Sequence, residues 1–216
     1  MVEEGAQRPS RNHHQVLLPA DRVERWFENF ESRHGGAAYD VLDGALGAHA
    51  VDGSSATARL PFDEPYDGVP LPSGLAASVV APAAWGLLLV RKGGFAVARL
   101  AGSELVAHKI GQRHVQGRTK AGGQSQQRFA RRRDNQARAA YEAAGEHAVR
   151  ILGTGLDALV TGGDRAGVDA VLSDARLRGA AAVRTSLWLS VGDPKRSVLD
   201  QAVVDAVSAQ VEVLNA

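Results

Sequence analysis

The sequence predicts a protein of the α/β class, an α+β arrangement in which helices pack on a mixed sheet. Three apolar runs over residues 85–112 have the length and alternation of strands joined by tight turns. Strand-like runs then alternate with amphipathic, helix-like segments toward the end of the chain. This order, three strands and then helix, strand, helix, strand and helix, predicts one mixed sheet with helices packed on it.

The first part of the chain predicts a small N-terminal extension. Residues 1–14 are polar and aperiodic, as is typical of a flexible tail. The run QVLLP predicts a short strand, and residues 20–36 predict a helix that stops at Gly35. A hairpin is expected around Asp52-Gly53, and the proline-rich segment 61–82 is expected to hold little regular structure. The apolar face of the helix consists of Val23, Trp26, Phe27 and Phe30.

The later elements follow from the same periodicities. A long helix is expected from Ser125 to about Leu152, and the apolar run 156–163 predicts a buried strand. Asp164 is expected to cap the next helix, and residues 181–191 predict another strand. The chain is expected to close with a helix over residues 193–214, which Asp193 caps.

Composition excludes several classes of protein. With 44% hydrophobic residues among 216, the chain can bury a substantial core. It contains no cysteine, which rules out a disulfide framework, a thiolate zinc site and a cysteine nucleophile. It has neither an apolar run long enough to span a membrane nor the apolar core of a signal peptide. We therefore expect a cytoplasmic protein without a membrane partner.

Positive charge is concentrated in one segment. From Leu105 to Arg133 there are eight basic residues and no acidic one, whereas the rest of the chain has 17 basic and 24 acidic residues. The net charge of +1 therefore conceals a basic segment on an acidic body. This distribution predicts a localised binding site for a polyanion.

Two glycines and a glutamine lie within this basic segment. Gly122, Gly123 and Gln124 directly precede the long basic helix, whose N-terminus adds positive potential. Because glycine lacks a side chain, the backbone N–H groups can come close to a reacting centre. These three residues are the predicted catalytic residues. The residues predicted to bind RNA phosphates are Arg118, Lys120, Arg128, Arg131, Arg132 and Arg133.

The stretch GGQSQQRFARRR, residues 122–133, resembles the catalytic loop and following helix of the middle domain of eukaryotic and archaeal peptide-chain release factors. Bacterial termination factors share only the GGQ tripeptide, on an unrelated fold. The three strands before the loop and the strand at 156–163 also resemble that domain, so the resemblance covers about residues 85–191. It implies a release-factor middle-domain fold with a ribonuclease H-like motif.

A GGQ domain with a short N-terminal extension is most similar to the Vms-like release-factor family, in its short actinobacterial form. We therefore expect a flexible tail at residues 1–14 and an extension at 15–84 that packs on the main domain. The GGQ catalytic domain is expected to comprise residues 85–216.

The resemblance implies a peptidyl-tRNA hydrolase that releases nascent peptides on stalled ribosomes or split large subunits. In the peptidyl-transferase centre, the backbone N–H of Gln124 would stabilise the oxyanion or the leaving group, and its side chain would position water. The implied partners are the rRNA of the large ribosomal subunit and peptidyl-tRNA. No cofactor and no metal is implied, and a monomer is expected.

Several alternatives stay open at this point. The same arginines would serve a non-catalytic module that binds ribosomal RNA, and a tRNA 3′-end endonuclease would leave the peptide on a short nucleotide stub. Arg128 or Arg133 could brace the loop rather than contact RNA. His108 and His114 flank the loop as possible general bases, although a lone histidine on a strand is more often structural.

Three aspartates of the extension are residues of the type that binds metal ions in two-metal sites, but their positions favour a structural role. Asp40, Asp43 and Asp52 fall near predicted turns, where aspartate is favoured because it hydrogen-bonds the local backbone. We therefore interpret them as turn residues.

Overall fold

A computed structural model describes residues 13–112, 138 and 140–216 of the chain. This part of the protein forms two five-stranded sheets with helices, a mixed α/β architecture that confirms the predicted class. Its elements group into two compact units. The first unit comprises the described residues up to Val79 together with Ser208–Ala216, and the second comprises those from Val80 to Val207.

In chain order the elements are β1 (His13–Leu18), α1 (Ala20–His34), β2 (Ala37–Leu42), β3 (Ala45–Ala50), β4 (Ser55–Arg59), α2 (Pro72–Ser78), β5 (Trp85–Arg91), β6 (Gly94–Ala101), β7 (Glu104–Gln112), α3 (residues 140–152), β8 (Ala158–Gly163), α4 (Arg165–Leu172), α5 (Arg178–Ala182), β9 (Arg184–Leu189), α6 (Arg196–Ala206) and β10 (Ala209–Leu214).

The sheet of the first unit has the order β1-β10-β4-β3-β2, and all its neighbouring strands are antiparallel. The predicted apolar face of α1 is confirmed, since Val23, Phe27 and Phe30 are buried in the core of this unit. The helix ends where predicted, at Gly35, which adopts the left-handed conformation with φ of 79°.

Three predicted features of the secondary structure are wrong. The proline-rich segment contains the helix α2, with a proline in its first turn. The closing helix ends at Ala206, and residues 209–214 form the strand β10 between β1 and β4. Within β10, Val211 and Val213 are buried whereas Glu212 is exposed, and this period of two is that of a strand. Asp193 does not cap α6, because Lys195 precedes the helix.

The second unit contains the predicted mixed sheet. Its order is β7-β6-β5-β8-β9, with antiparallel pairing from β5 to β7 and parallel pairing from β5 through β8 to β9. Six of the seven residues of the central strand β5 are buried, as expected for a strand covered on both faces. The core includes Ala144, Ala148 and Leu152 of α3 together with Val168 and Val171 of α4.

The first unit ends at Val79 and also includes the last nine residues, Ser208–Ala216. The functional division into an extension over residues 15–84 and a catalytic domain over 85–216 stays a prediction.

Gly163 ends β8, and its replacement by alanine should destabilise the second unit. Its φ of 95° is strained for any L side chain, and an added Cβ would collide with the carbonyl oxygen of Val90 on the paired strand. We expect Gly163→Ala to lower the free energy of unfolding by about 3 kcal/mol, measured by urea denaturation.

The matched control is Gly145→Ala in α3, where an added Cβ meets no atom within 4 Å. Because alanine favours the helix, this change should stabilise the protein by about 0.5 to 1 kcal/mol. Equal unfolding midpoints for the two variants would contradict the backbone argument.

Candidate functional site

The predicted catalytic residues Gly122, Gly123 and Gln124 lie outside the described residues. So do His114 and the six residues predicted to bind RNA, which are Arg118, Lys120, Arg128, Arg131, Arg132 and Arg133. The structure describes the two elements from which this segment starts and ends, β7 on one side and α3 on the other.

The end of β7 is held at two adjacent residues. Gly111 lies so close to the ring of Phe95 on β6 that an added Cβ would collide with it. The next residue, Gln112, donates from Nε2 to the carbonyl oxygen of Pro194 at 3.2 Å. The strand therefore leads into the GGQ segment from a fixed position.

The same phenylalanine packs against α3. The ring of Phe95 is stacked on the ring of His147, with centroids 5.4 Å apart and an angle of 28° between the planes. Phe95 is buried in the core beside Ala144 and Ala148 of this helix. One buried ring thus contacts both elements that flank the GGQ segment.

His147 is a structural histidine in this packing. Burial lowers its pKa, and the positive charges of Arg150 and Lys109 lower it further, while Glu146 opposes them. Its Nδ1 lies 3.0 Å from Nη2 of Arg150 and must accept this hydrogen bond, because a guanidinium only donates. The ring is therefore neutral near pH 7.

His108, the described member of the two histidines that flank the loop, lies on β7. Its Nε2 is 3.4 Å from Nη1 of Arg196, and that arginine pairs with Asp200 at 2.8 Å within α6. These contacts link the edge strand to α6.

A tyrosine connects the first described turn of α3 to the start of α4. The hydroxyl of Tyr141 donates to Oδ2 of Asp164 at 3.1 Å. Burial raises the pKa of Tyr141, and the bond to the carboxylate raises it further. Asp164 does precede α4 as predicted, but its side chain makes no capping hydrogen bond. The sequence did not reveal this partner, because 23 residues separate the two.

A groove of about 790 Å³ lies between α3 and the end of α4. Its lining residues are Arg138, Tyr141, Glu142, Ala143, Gly145, Glu146, Ala170, Val171, Ser173 and Asp174. Arg176 bonds two of the carboxylates, Glu146 at 2.6 Å and Asp174 at 2.7 Å. These bonds lower the pKa of Asp174 to about 2 and also lower that of Glu146.

This groove is unsuited to a polyanion. Three carboxylates, those of Glu142, Glu146 and Asp174, outnumber the guanidinium of Arg138 in its wall and that of Arg176 beside it. Phosphate groups would meet repulsion here. The sequence contains one signal of this acidic groove: Glu142 and Glu146 are four residues apart and so lie on one face of the helix.

The turn interpretation of Asp40, Asp43 and Asp52 holds for Asp43 and Asp52 and is wrong for Asp40. Asp52 accepts from the backbone N–H of Ser54 and lies 2.8 Å from Nδ1 of His34. Asp43 is in a turn with φ of 50°, whereas Asp40 is on β2, where it pairs with His49. Within the described residues, no group of three or more His, Asp or Glu side chains could hold a metal ion.

The family model for the Actinobacteria/chloroflexi VLRF1 release factor matches residues 83–212, more than half of the chain. The chain belongs to this release-factor family. The match confirms the Vms-like resemblance that the sequence predicted from residues 122–133. The range matched to the VLRF1 release factor contains β5 to β9, α3 to α6, most of β10 and the whole GGQ segment.

Curated proteins and solved structures provide no further evidence about the family of this chain. None of the curated proteins matches the chain. The crystal structure of Pelota from Archaeoglobus fulgidus is similar at 12% sequence identity with a TM-score of 0.27. The alignment covers 95% of this chain and 66% of Pelota, so the chain spans just under two thirds of that protein's length. Likeness at this level supports no functional inference.

Among the described residues, no helix of this VLRF1 family member is both long and apolar enough to cross a membrane.

Proposed function

We propose that this protein is a peptidyl-tRNA hydrolase that releases nascent peptides on stalled ribosomes or split large subunits. One observation carries the proposal: the segment that matches the VLRF1 release-factor family contains an intact Gly122-Gly123-Gln124, followed within nine residues by four arginines. Glycines permit close approach of the backbone, and arginines hold the phosphates around the target.

The proposed reaction is hydrolysis of the ester between the peptide and the terminal ribose of tRNA. Water attacks the carbonyl carbon, the bond from that carbon to the ribose oxygen breaks, and the ribose oxygen leaves with a proton. The peptide leaves with a free carboxylate, and the second proton of the water passes to solvent. The backbone N–H of Gln124 donates to the oxyanion or to the departing oxygen, and its carboxamide positions the water.

Neither of these groups of Gln124 is a strong base. Both act by holding charge and water in place, so the ribosome and the tRNA must present the ester and provide much of the catalysis. We therefore expect the isolated protein to be a poor esterase.

The described scaffold is suited to presenting such a loop. Phe95 packs against Gly111 of β7 and His147 of α3, and Tyr141 joins α3 to Asp164 at the start of α4. A catalytic segment gains from such rigid ends, because small displacements of a reacting group reduce rates strongly.

The charge distribution favours a defined RNA-facing surface. The eight basic residues between Leu105 and Arg133 would face ribosomal RNA and tRNA, whereas the groove lined by Glu142, Glu146 and Asp174 would face away from phosphate. Large-subunit RNA and peptidyl-tRNA are thus the proposed partners.

The proposal is tested with ribosomal complexes that carry a labelled peptidyl-tRNA. Added protein should release free peptide and leave a tRNA of full length. Shortened tRNA with the peptide on a nucleotide stub would instead indicate an endonuclease. Subunit binding without any product would indicate a non-catalytic RNA-binding module, and either result would overturn the hydrolase proposal.

Two controls sharpen this assay. Free peptidyl-tRNA without ribosomes should be hydrolysed far more slowly, because the loop alone lacks a base. A parallel reaction on intact ribosomes and on split large subunits identifies which of the two presents the ester.

A further inference from the structure

Two arginines lie over the ring of a tryptophan on the second unit's edge strand β9. Trp188 is half-buried against the core, and Cζ of Arg165 lies 4.3 Å from the centroid of its ring. Cζ of Arg184 lies 5.4 Å from the same centroid. The three residues come from β9 and the first position of α4. They form a cluster that the sequence did not reveal.

The two arginines have different partners. Arg184 donates from Nε to Oγ1 of Thr161 at 3.1 Å and forms an ion pair with Asp169 at 2.8 Å. Its charge is therefore balanced, and its geometry is held within the protein. Arg184 thus contacts the ring of Trp188 while its own polar groups are bonded within the protein.

Arg165 is exposed and, unlike Arg184, is not paired with a carboxylate of the described residues. Within the part of the chain that the structure describes, its side chain contacts the ring of Trp188 and forms no ion pair. The neighbouring carboxylate of Asp164 does not pair with Arg165 and instead accepts a hydrogen bond from the hydroxyl of Tyr141. Cζ of Arg165 lies over the ring of Trp188, and a guanidinium held in this way can still donate N–H bonds to a ligand.

Such an arginine is arranged to receive a phosphate. The fork of in-plane donors matches two phosphate oxygens, and stacking reduces the conformational freedom that Arg165 would lose on binding. The charge of Asp169 is already paired with Arg184, which leaves the charge of Arg165 to act on a ligand. The ligand chemistry that fits is a phosphodiester of an RNA backbone.

We infer that Arg165, seated on Trp188, is a second RNA contact of this protein, separate from the basic segment around the GGQ loop. The inference rests on the proposed function, which brings the protein to ribosomal RNA and tRNA. Trp188 is a positioning residue in this site, because it acts on RNA through Arg165.

The test measures binding to vacant large ribosomal subunits and to free tRNA across a range of salt concentrations. Arg165→Ala should raise the Kd about tenfold and reduce the slope of log Kd against log salt by about 0.7 to 0.9, the value of one phosphate contact. Arg165→Lys should keep this slope but recover only part of the affinity, since lysine lacks the planar fork. Trp188→Leu should weaken binding while the slope is retained.

The matched control is Arg178→Ala, which removes another exposed arginine from the same unit. Its Kd should stay within about twofold of the wild-type value. A loss seen with vacant subunits assigns the phosphate to ribosomal RNA, and a loss seen only with tRNA assigns it to tRNA.

Unchanged affinity and slope for Arg165→Ala on both RNAs would overturn this inference. If the wild-type protein releases peptide while Arg165→Ala binds normally, the RNA contact of Arg165 is contradicted and the proposed function is retained. If the wild-type protein binds neither RNA, the proposed function fails with it. Arg165 is exposed, so its variants should fold, and circular dichroism checks this for each of them.

Discussion

Replacement of Gly123 by alanine should slow peptide release from ribosome-bound peptidyl-tRNA by about 100-fold or more, while binding to the large subunit is retained. The added Cβ restricts the backbone angles of the GGQ loop and keeps the N–H of Gln124 from the ester. The expected loss is much larger than one methyl group would suggest. Single-turnover release of labelled peptide measures it.

Gln124→Ala should also slow release, but less than Gly123→Ala. Alanine keeps the backbone N–H that is proposed to donate to the oxyanion and removes only the carboxamide that positions water. A rate for Gln124→Ala equal to that of the wild type would remove this side chain from the mechanism.

Gly192→Ala is the matched control for the glycine variant. An added Cβ at Gly192 meets no atom within 4 Å, and its φ is not in the range that disfavours side chains. Peptide release should be unchanged. If Gly123→Ala released peptide as fast as this control, close approach of the loop backbone could not be the basis of the activity.

Simultaneous replacement of Arg131, Arg132 and Arg133 by glutamate should weaken binding to the large ribosomal subunit by about 1000-fold or more at low salt. The change converts three positive charges into three negative ones, so phosphate contacts become repulsive and counterion release is lost. Co-sedimentation at several salt concentrations measures the effect. Circular dichroism checks that the fold is retained.

The control is the same change of charge on α1 of the first unit. Arg22, Arg25 and Arg33 are exposed on this helix, and their replacement by glutamate alters the net charge of the protein by the same amount. Binding should fall only by a few-fold. Equal losses for both triple variants would show that overall charge, rather than the segment beside the GGQ loop, governs the interaction.

The sequence correctly predicted the elements that depend only on neighbouring residues. The helix α1 follows from apolar residues at helical spacing and from Gly35, and the strand β5 follows from an unbroken apolar run. Membership of the release-factor family follows from the residues around Gly122-Gly123-Gln124, and the family match confirms it.

The strand β10 could not be assigned in the same way. Residues 209–214 follow a helical pattern directly, and their alternation is short enough to be read as a continuation of α6. They form a strand because they fill the space between β1 and β4, elements about 150 to 200 residues earlier in the chain. Such non-local pairing depends on partners that no local window contains.

By itself, the sequence determined the α/β class, most of the helices and strands, the concentration of positive charge and the release-factor family. These features depend on periodicity and on residue types within one segment. Only the tertiary structure decided the pairing of β10, the packing of Phe95 against both flanks of the GGQ segment, the acidic groove and the stacking of Arg165 on Trp188. Each of these requires side chains or strands that are distant in sequence to meet in space, and that juxtaposition is set by long-range packing.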